Sequence, residues 1–251
     1  MVTRKDMPRN ALGVLAAKGF QVEFHSHAQA ILSIDFPEVL EEVEKTLVDL
    51  SIPIESLVRG GGGEHETTQA LRRRLAERKW AKHNFEIKKL IDGIERESIS
   101  HEVDHVRTLT NGKVAMEIEW NNKDPFFDRD LENFKRLHAE AAISVGVIIT
   151  RGESLQDNIE TAVLRFARAR GVKSYADLKE LINPTPRQIA IVEKKARAGG
   201  DFAEAWASAF CADKFGQATT HWRKLEDRVR RGVGNPCPLL LIGIPIGAID
   251  F

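Results

Sequence analysis

Cysteine is scarce in this chain: only Cys211 and Cys237 occur among 251 residues. That excludes a disulfide framework and a zinc site built on thiolates, and it points to a reducing compartment, the cytoplasm. Long apolar runs are absent as well. No stretch approaches the roughly 20 residues that a bilayer core demands, and the first residues lack the apolar segment of a signal peptide. There is no excess of either charge, with 37 basic and 37 acidic side chains. A partner of strong charge is therefore not announced by the total and must be sought in local clusters. Four consecutive glycines, Gly60–Gly63, are not followed by Gly-Lys-Ser/Thr, and no GxGxxG joins a strand to a helix. A nucleotide-phosphate loop is thereby excluded, and the glycines read as a hinge into the next helix. The length allows one large domain, or one domain carrying a subdomain.

The most informative stretch that is present is KVAMEIEWNNKDPFFDRD, residues 113–130. Its first half alternates strictly, with Val114, Met116, Ile118 and Trp120 on one strand face and Glu117 and Glu119 on the other. Two carboxylates side by side repel each other and lose solvation, a conflict that a divalent cation resolves. Upstream, HEVDHVRT (101–108) reads as a partner strand holding Asp104, and Asn111-Gly112 between the two runs is a strong hairpin signal. The strands are thus expected to be antiparallel neighbours, with Asp104 in reach of the glutamate pair. An Asp…Glu-x-Glu set on neighbouring strands is a plausible magnesium site for phosphodiester hydrolysis.

Around it, QVEFHSHAQAILSI (21–34) reads as extended. PEVLEEVEKTLVDL (37–50) reads as an amphipathic helix with an apolar stripe at Val39, Leu40, Val43, Leu47 and Leu50. A helix is expected from about Glu66 to Lys79; its Arg72, Arg73, Arg74 and Arg78 form either a solvated face or a phosphate-binding one. Glu64, at its start, is a candidate additional metal ligand. HNFEIKKLIDG (83–93) reads as a strand and GIERESIS after it as a connection. FFDRDLENFKRLHAEAA (126–142) is helical, and ISVGVIIT (143–150) and CPLLLIGI (237–244) are apolar runs expected of strands buried on both faces. Strand, helix, buried strand implies a βαβ-like crossover in a mixed sheet. Residues 153–216 contain several helical patterns, SYADLKELI (174–182) among them, separated by Gly and Pro, so 153–214 reads as a helical insertion within a single domain spanning 1–251. Lys224, Arg228, Arg230 and Arg231 form a basic stripe that reads either as a phosphate-binding face or as a solvated helix.

At KVAMEIEWNNKDPFFDRDL, ISVGVIITRG, ATTHWRKL and NPCPLLLIGI, four blocks in consistent order, the chain resembles the BglII-like family of type II restriction endonucleases. That family includes BstYI and is related in fold to BamHI. The resemblance covers roughly residues 20–150 and 215–245. It implies an α/β fold with a restriction-endonuclease-like core, a mixed sheet flanked by helices, here with a helical insertion. It implies a homodimer that cuts double-stranded DNA with Mg2+ at a palindromic site, with a GATC-containing centre, leaving 5′-phosphates. A cognate DNA methyltransferase would protect the host. Carried over by position, Asp104 and Glu117 are metal ligands and catalytic residues, and Glu119 is the third catalytic position. That position holds lysine in the wider superfamily, glutamine in BglII and BstYI, and glutamate in BamHI. Asn121 and Asn122 stand where the family reads central bases, and asparagine can bond bidentately to adenine. Lys123, Thr219, Thr220, His221 and Lys224 are further candidate DNA contacts. The Asp-to-Glu spacing is longer than in BglII and BstYI. Alternatives are a catalytically inactive DNA-binding protein of the same fold, or a structure-specific repair nuclease.

Overall fold

Alternating and uniformly apolar segments pair here into one six-stranded sheet. The computed structural model describes residues 11–59 and 65–251. The sheet is built from β1 (Gln21–His25), β3 (Ala81–Ile91), β4 (Ile94–Leu109), β5 (Gly112–Glu119), β6 (Val145–Arg151) and β7 (Leu239–Ile244). A separate two-residue parallel pair joins β2 (Ile52–Pro53) to β8 (Ile249–Asp250). The large sheet runs in the order β1-β7-β6-β5-β4-β3. Its centre, β5-β6-β7, is parallel, and β1, β4 and β3 join antiparallel. The fold is thus α/β with a mixed sheet flanked by helices, as a restriction-endonuclease-like core requires. Every residue of β6 and β7 is buried, which explains why neither run alternates.

Two apolar layers cover the sheet. On one face Val114, Met116 and Ile118 pack with α1 (Gly13–Ala17), α2 (Ala28–Asp35), α3 (Pro37–Leu47), α4 (Ile54–Val58), α5 (Glu66–Ala76), α7 (Glu153–Ala169) and α9 (Phe202–Lys214). On the other, Ala115, Ile148, Leu239 and Leu241 pack with α6 (Phe126–Ala139) and α10 (Trp222–Arg230). Glu117 and Glu119 share the face of Ala115 and so point toward α6. The crossover β5-α6-β6 is the expected βαβ unit. Gly146 on β6 permits close approach of α6, because a Cβ there would overlap the Phe134 ring.

Three expectations about elements require correction. Residues 21–34 are not extended throughout: β1 ends at His25, Ser26 and His27 turn the chain through positive φ, and α2 begins at Ala28. The GIERESIS segment is not a connection but the start of the 16-residue strand β4, and the turn is Asp92-Gly93, both with positive φ. That dipeptide is itself a hairpin signal. In 174–182 only a short 3-10 turn forms, Tyr175–Leu178; α8 (Pro186–Arg197) follows, opened by Thr185 in a capping box with Gln188.

Candidate active site

The alternation of β5 brings Glu117 and Glu119 to one face, and packing against α6 buries them to 7% and 3% exposure. Asp104 reaches them through an irregularity. Pairing of β4 with β5 runs from Leu109↔Gly112 to His105↔Met116, so Asp104 is the next residue beyond it, opposite Glu117. Pairing of β3 with β4 shifts register between Ala81↔Val106 and His83↔Val103, leaving Asp104 and His105 to face the single residue Lys82. Such a bulge removes a backbone donor from the ladder. Here the freed Asp104 N–H points to Glu117 Oε1 at 3.4 Å. The Asp104 side chain is 57% exposed and lies 3.6 Å from Lys82 Nζ, so of these three carboxylates two are buried and one is open.

A fourth carboxylate completes the cluster. Asp130, on the inward face of α6, is 1% exposed. Its Oδ1 accepts a bond from Arg129 Nε at 2.8 Å, while Oδ2 finds no conventional donor. The Glu119 carboxyl lies against it, and Glu119 also accepts a bond from Asn122 Nδ2 at 2.7 Å. Arg129 stands 3.5 Å from Glu119 and is the nearby cation of the group. Burial, then the charge of Asp130, pushes the Glu119 carboxyl up to about 8. Burial also drives Glu117 well above the usual carboxylate range, helped by Asp130, Asp104 and Glu119. A proton held by Glu119 and donated to Asp130 relieves the repulsion of this pair. Asp130 was missed in the sequence, although an acid three residues after Phe127 and four before Phe134 is out of place on an apolar helical stripe.

The remaining candidates divide by exposure. Asn121 is half-buried, and Asn122 and Lys123 are exposed immediately after the glutamates. Lys123 pairs with Thr219 in an isolated antiparallel bridge, Thr220 N donates to Asn122 O at 2.8 Å, and Asp124 N donates to Ala218 O at 3.0 Å. The two segments far apart in sequence are therefore one structural unit. Thr220 and His221 are buried within it, at 0% and 1% exposure. Their side chains face the interior, and burial beside Arg151 lowers the His221 imidazole to about 4. Lys224 is half-buried and pairs with Asp124 at 3.4 Å. The basic stripe on α10 is internally neutralised: Arg228 is buried against Asp128 and Asp124, Arg230 pairs with Glu226, and Arg231 with Asp227. Glu64 and the glycine hinge before it lie outside the described residues.

Among the described residues, no three His, Cys, Asp or Glu side chains form a ready-made metal cage, and no helix is long and apolar enough to cross a membrane. Cys211 and Cys237 are both free and buried.

Comparison with known proteins agrees with this architecture. The family model described as restriction endonuclease BglII/BglIII matches residues 20–244, a continuous span that includes the helical region 153–214. A search of curated proteins gives no match. Enzymes of this type act on DNA and generally use a divalent metal. With the acidic cluster held between the mixed sheet and α6 and the match over nearly its whole length, the chain belongs to the BglII/BglIII restriction endonuclease family and is a type II site-specific deoxyribonuclease.

Proposed function

We propose that the chain hydrolyses both strands of a palindromic DNA site with Mg2+, using Asp104 and Glu117 as metal ligands and Glu119 as the third catalytic residue. The site would have a GATC-containing centre and the products 5′-phosphates, as the resemblance to BglII implies. The observation that carries the assignment is the burial of Glu117 among three other carboxylates, beside the solvent-open Asp104. The donor set fits the ion: Mg2+ takes hard oxygen ligands, commonly one or two carboxylates, with water and substrate phosphate completing the shell.

When bound, Mg2+ would supply Lewis acidity at the scissile phosphate and lower the pKa of attacking water. The protein residues have separable tasks. Asp104 and Glu117 hold negative charge at the mouth and floor of the site. Glu119, kept in place by Asn122 and Asp130, can orient water through its carboxyl and accept a proton once its own has left. Lys82 lies on the open side next to Asp104, where a phosphate would approach. Asn121, Asn122 and Lys123 continue from the catalytic strand and are the candidate base and backbone contacts, with Thr219 and Lys224 beside them. Thr220 and His221 support this surface from beneath.

A palindromic target implies a homodimer, one protomer per strand, and a cognate methyltransferase would mask the site in the host. Glu117→Ala should abolish cleavage of phage DNA while DNA binding persists in a gel-shift assay. Retained Mg2+-dependent cutting by that variant would overturn the assignment.

A further inference from the structure

Arg151, the last residue of β6, is fully buried, with 0% exposure. Among the described residues no carboxylate accepts its hydrogen bonds. Nε donates to Trp120 O at 2.7 Å, one terminal nitrogen to Gln156 Oε1 at 2.6 Å, and the other to Thr219 Oγ1 and Thr220 O, each at 2.6 Å. The Phe215 ring lies 5.0 Å away, and Gln156 in turn bonds Phe215 O at 2.8 Å. A cation in such a place is costly, and only neutral oxygens offset it. Its partners are not scattered. Trp120 and Thr219-Thr220 begin and end the two segments that pair through Lys123↔Thr219 and the Asn122 and Asp124 backbone bonds. Thr150, one residue earlier on β6, fixes Glu119 O at 2.7 Å.

We propose that Arg151 is a specificity-positioning residue: its planar fork locks residues 120–124 and 216–220 into one rigid DNA-reading unit in register with the catalytic strand. This rests on the DNA-cleaving function of the site. The fork geometry is what matters, since five donors in one plane can hold both segments and Gln156 at once, whereas a lysine ammonium presents a point charge on a flexible stem.

The test uses the full-length protein on a duplex library with a randomised central window, followed by sequencing of the cut ends. The variants are Arg151→Met, which removes the buried charge at similar volume, and Arg151→Lys, which keeps the charge and carries the test where the first does not fold. The wild type should yield one dominant palindrome. The variants should lose roughly ten- to a hundred-fold in preference for that sequence over single-base neighbours, the worth of one misplaced bidentate base contact. Amide exchange at Asp124 and Thr220 should accelerate while that of β6 and β7 stays unchanged. A residue that served stability alone would lower cleavage of cognate and near-cognate sites alike. A folded variant with the wild-type sequence preference would overturn the proposal. A wild type that cuts without sequence preference would instead overturn the function on which it rests.

Discussion

At the scale of single residues, the acidic cluster stores repulsion. Glu119 is raised from 4.5 to about 8, Glu117 is raised well above the ordinary carboxylate range by burial, and Asp130 is raised as well. The sign for stability follows from the direction. A carboxyl that holds its proton more tightly in the folded state stabilises the fold below its unfolded pKa, and that contribution is lost as pH rises through the folded value. Without metal, the melting temperature should therefore fall between about pH 4.5 and about pH 8, measured by calorimetry in chelator. Glu119→Gln should flatten that fall. Asp130→Asn should move it to lower pH, since one source of the Glu119 shift is gone; an unchanged profile would show that the two side chains do not interact. Of these acids, three were legible in the sequence, because strand alternation and a hairpin signal expose Asp104, Glu117 and Glu119. Asp130 was not, since helical periodicity treats it as one polar residue near a stripe. Nor was Arg151, because a charge at the end of an apolar run looks like the strand's exit to solvent.

At the scale of elements, the bulge opposite Lys82 and the packing of α6 decide the geometry. Neither has a reliable sequence signature: a bulge depends on how two strands share their register, and helix approach depends on what lies below. The hairpin at Asn111-Gly112 and the crossover β5-α6-β6 were readable from turn chemistry and periodicity. The Asp92-Gly93 hairpin was readable too, but the polar run after it obscured a strand whose outer part is exposed on both faces. Gly146→Ala tests the role of α6. The added methyl meets Phe134 and should cost about 1–3 kcal/mol in denaturant unfolding, and it should lower cleavage beyond the loss of folded protein because Asp130 and Arg129 shift with the helix. Conversely, replacing Leu90, Ile91 and Ile94 at the exposed end of the β3–β4 ribbon with threonine should change stability by no more than about 0.5 kcal/mol per site.

At the scale of the whole molecule, the helices between β6 and β7 share a hydrophobic cluster with the sheet: Leu155, Ile159, Val163 and Phe166 of α7 and Trp206 of α9 lie in the same layer as Met116 and Val147. Their sequence showed helices but not the surface they cover, since amphipathicity does not name a partner. The balanced charge also has a structural counterpart, as the basic side chains of α10 are largely matched by acids in place. Sedimentation at micromolar concentration should give a homodimer; a monomer that stays monomeric on a cleavable duplex would contradict the proposed symmetry.

The antiparallel pairing of β4 and β5 makes the 13-residue interval between Asp104 and Glu117 a measure of hairpin length. With the turn held constant, lengthening each arm by one residue returns the same two side chains to opposition with the interval grown by two. Relatives can therefore drift in spacing by even steps while keeping this aspartate opposite the glutamate, whereas an odd step must be absorbed in the turn or would place the aspartate on the wrong side of the sheet. Parity of the interval, rather than its size, is the feature by which an alignment of such chains should match this aspartate.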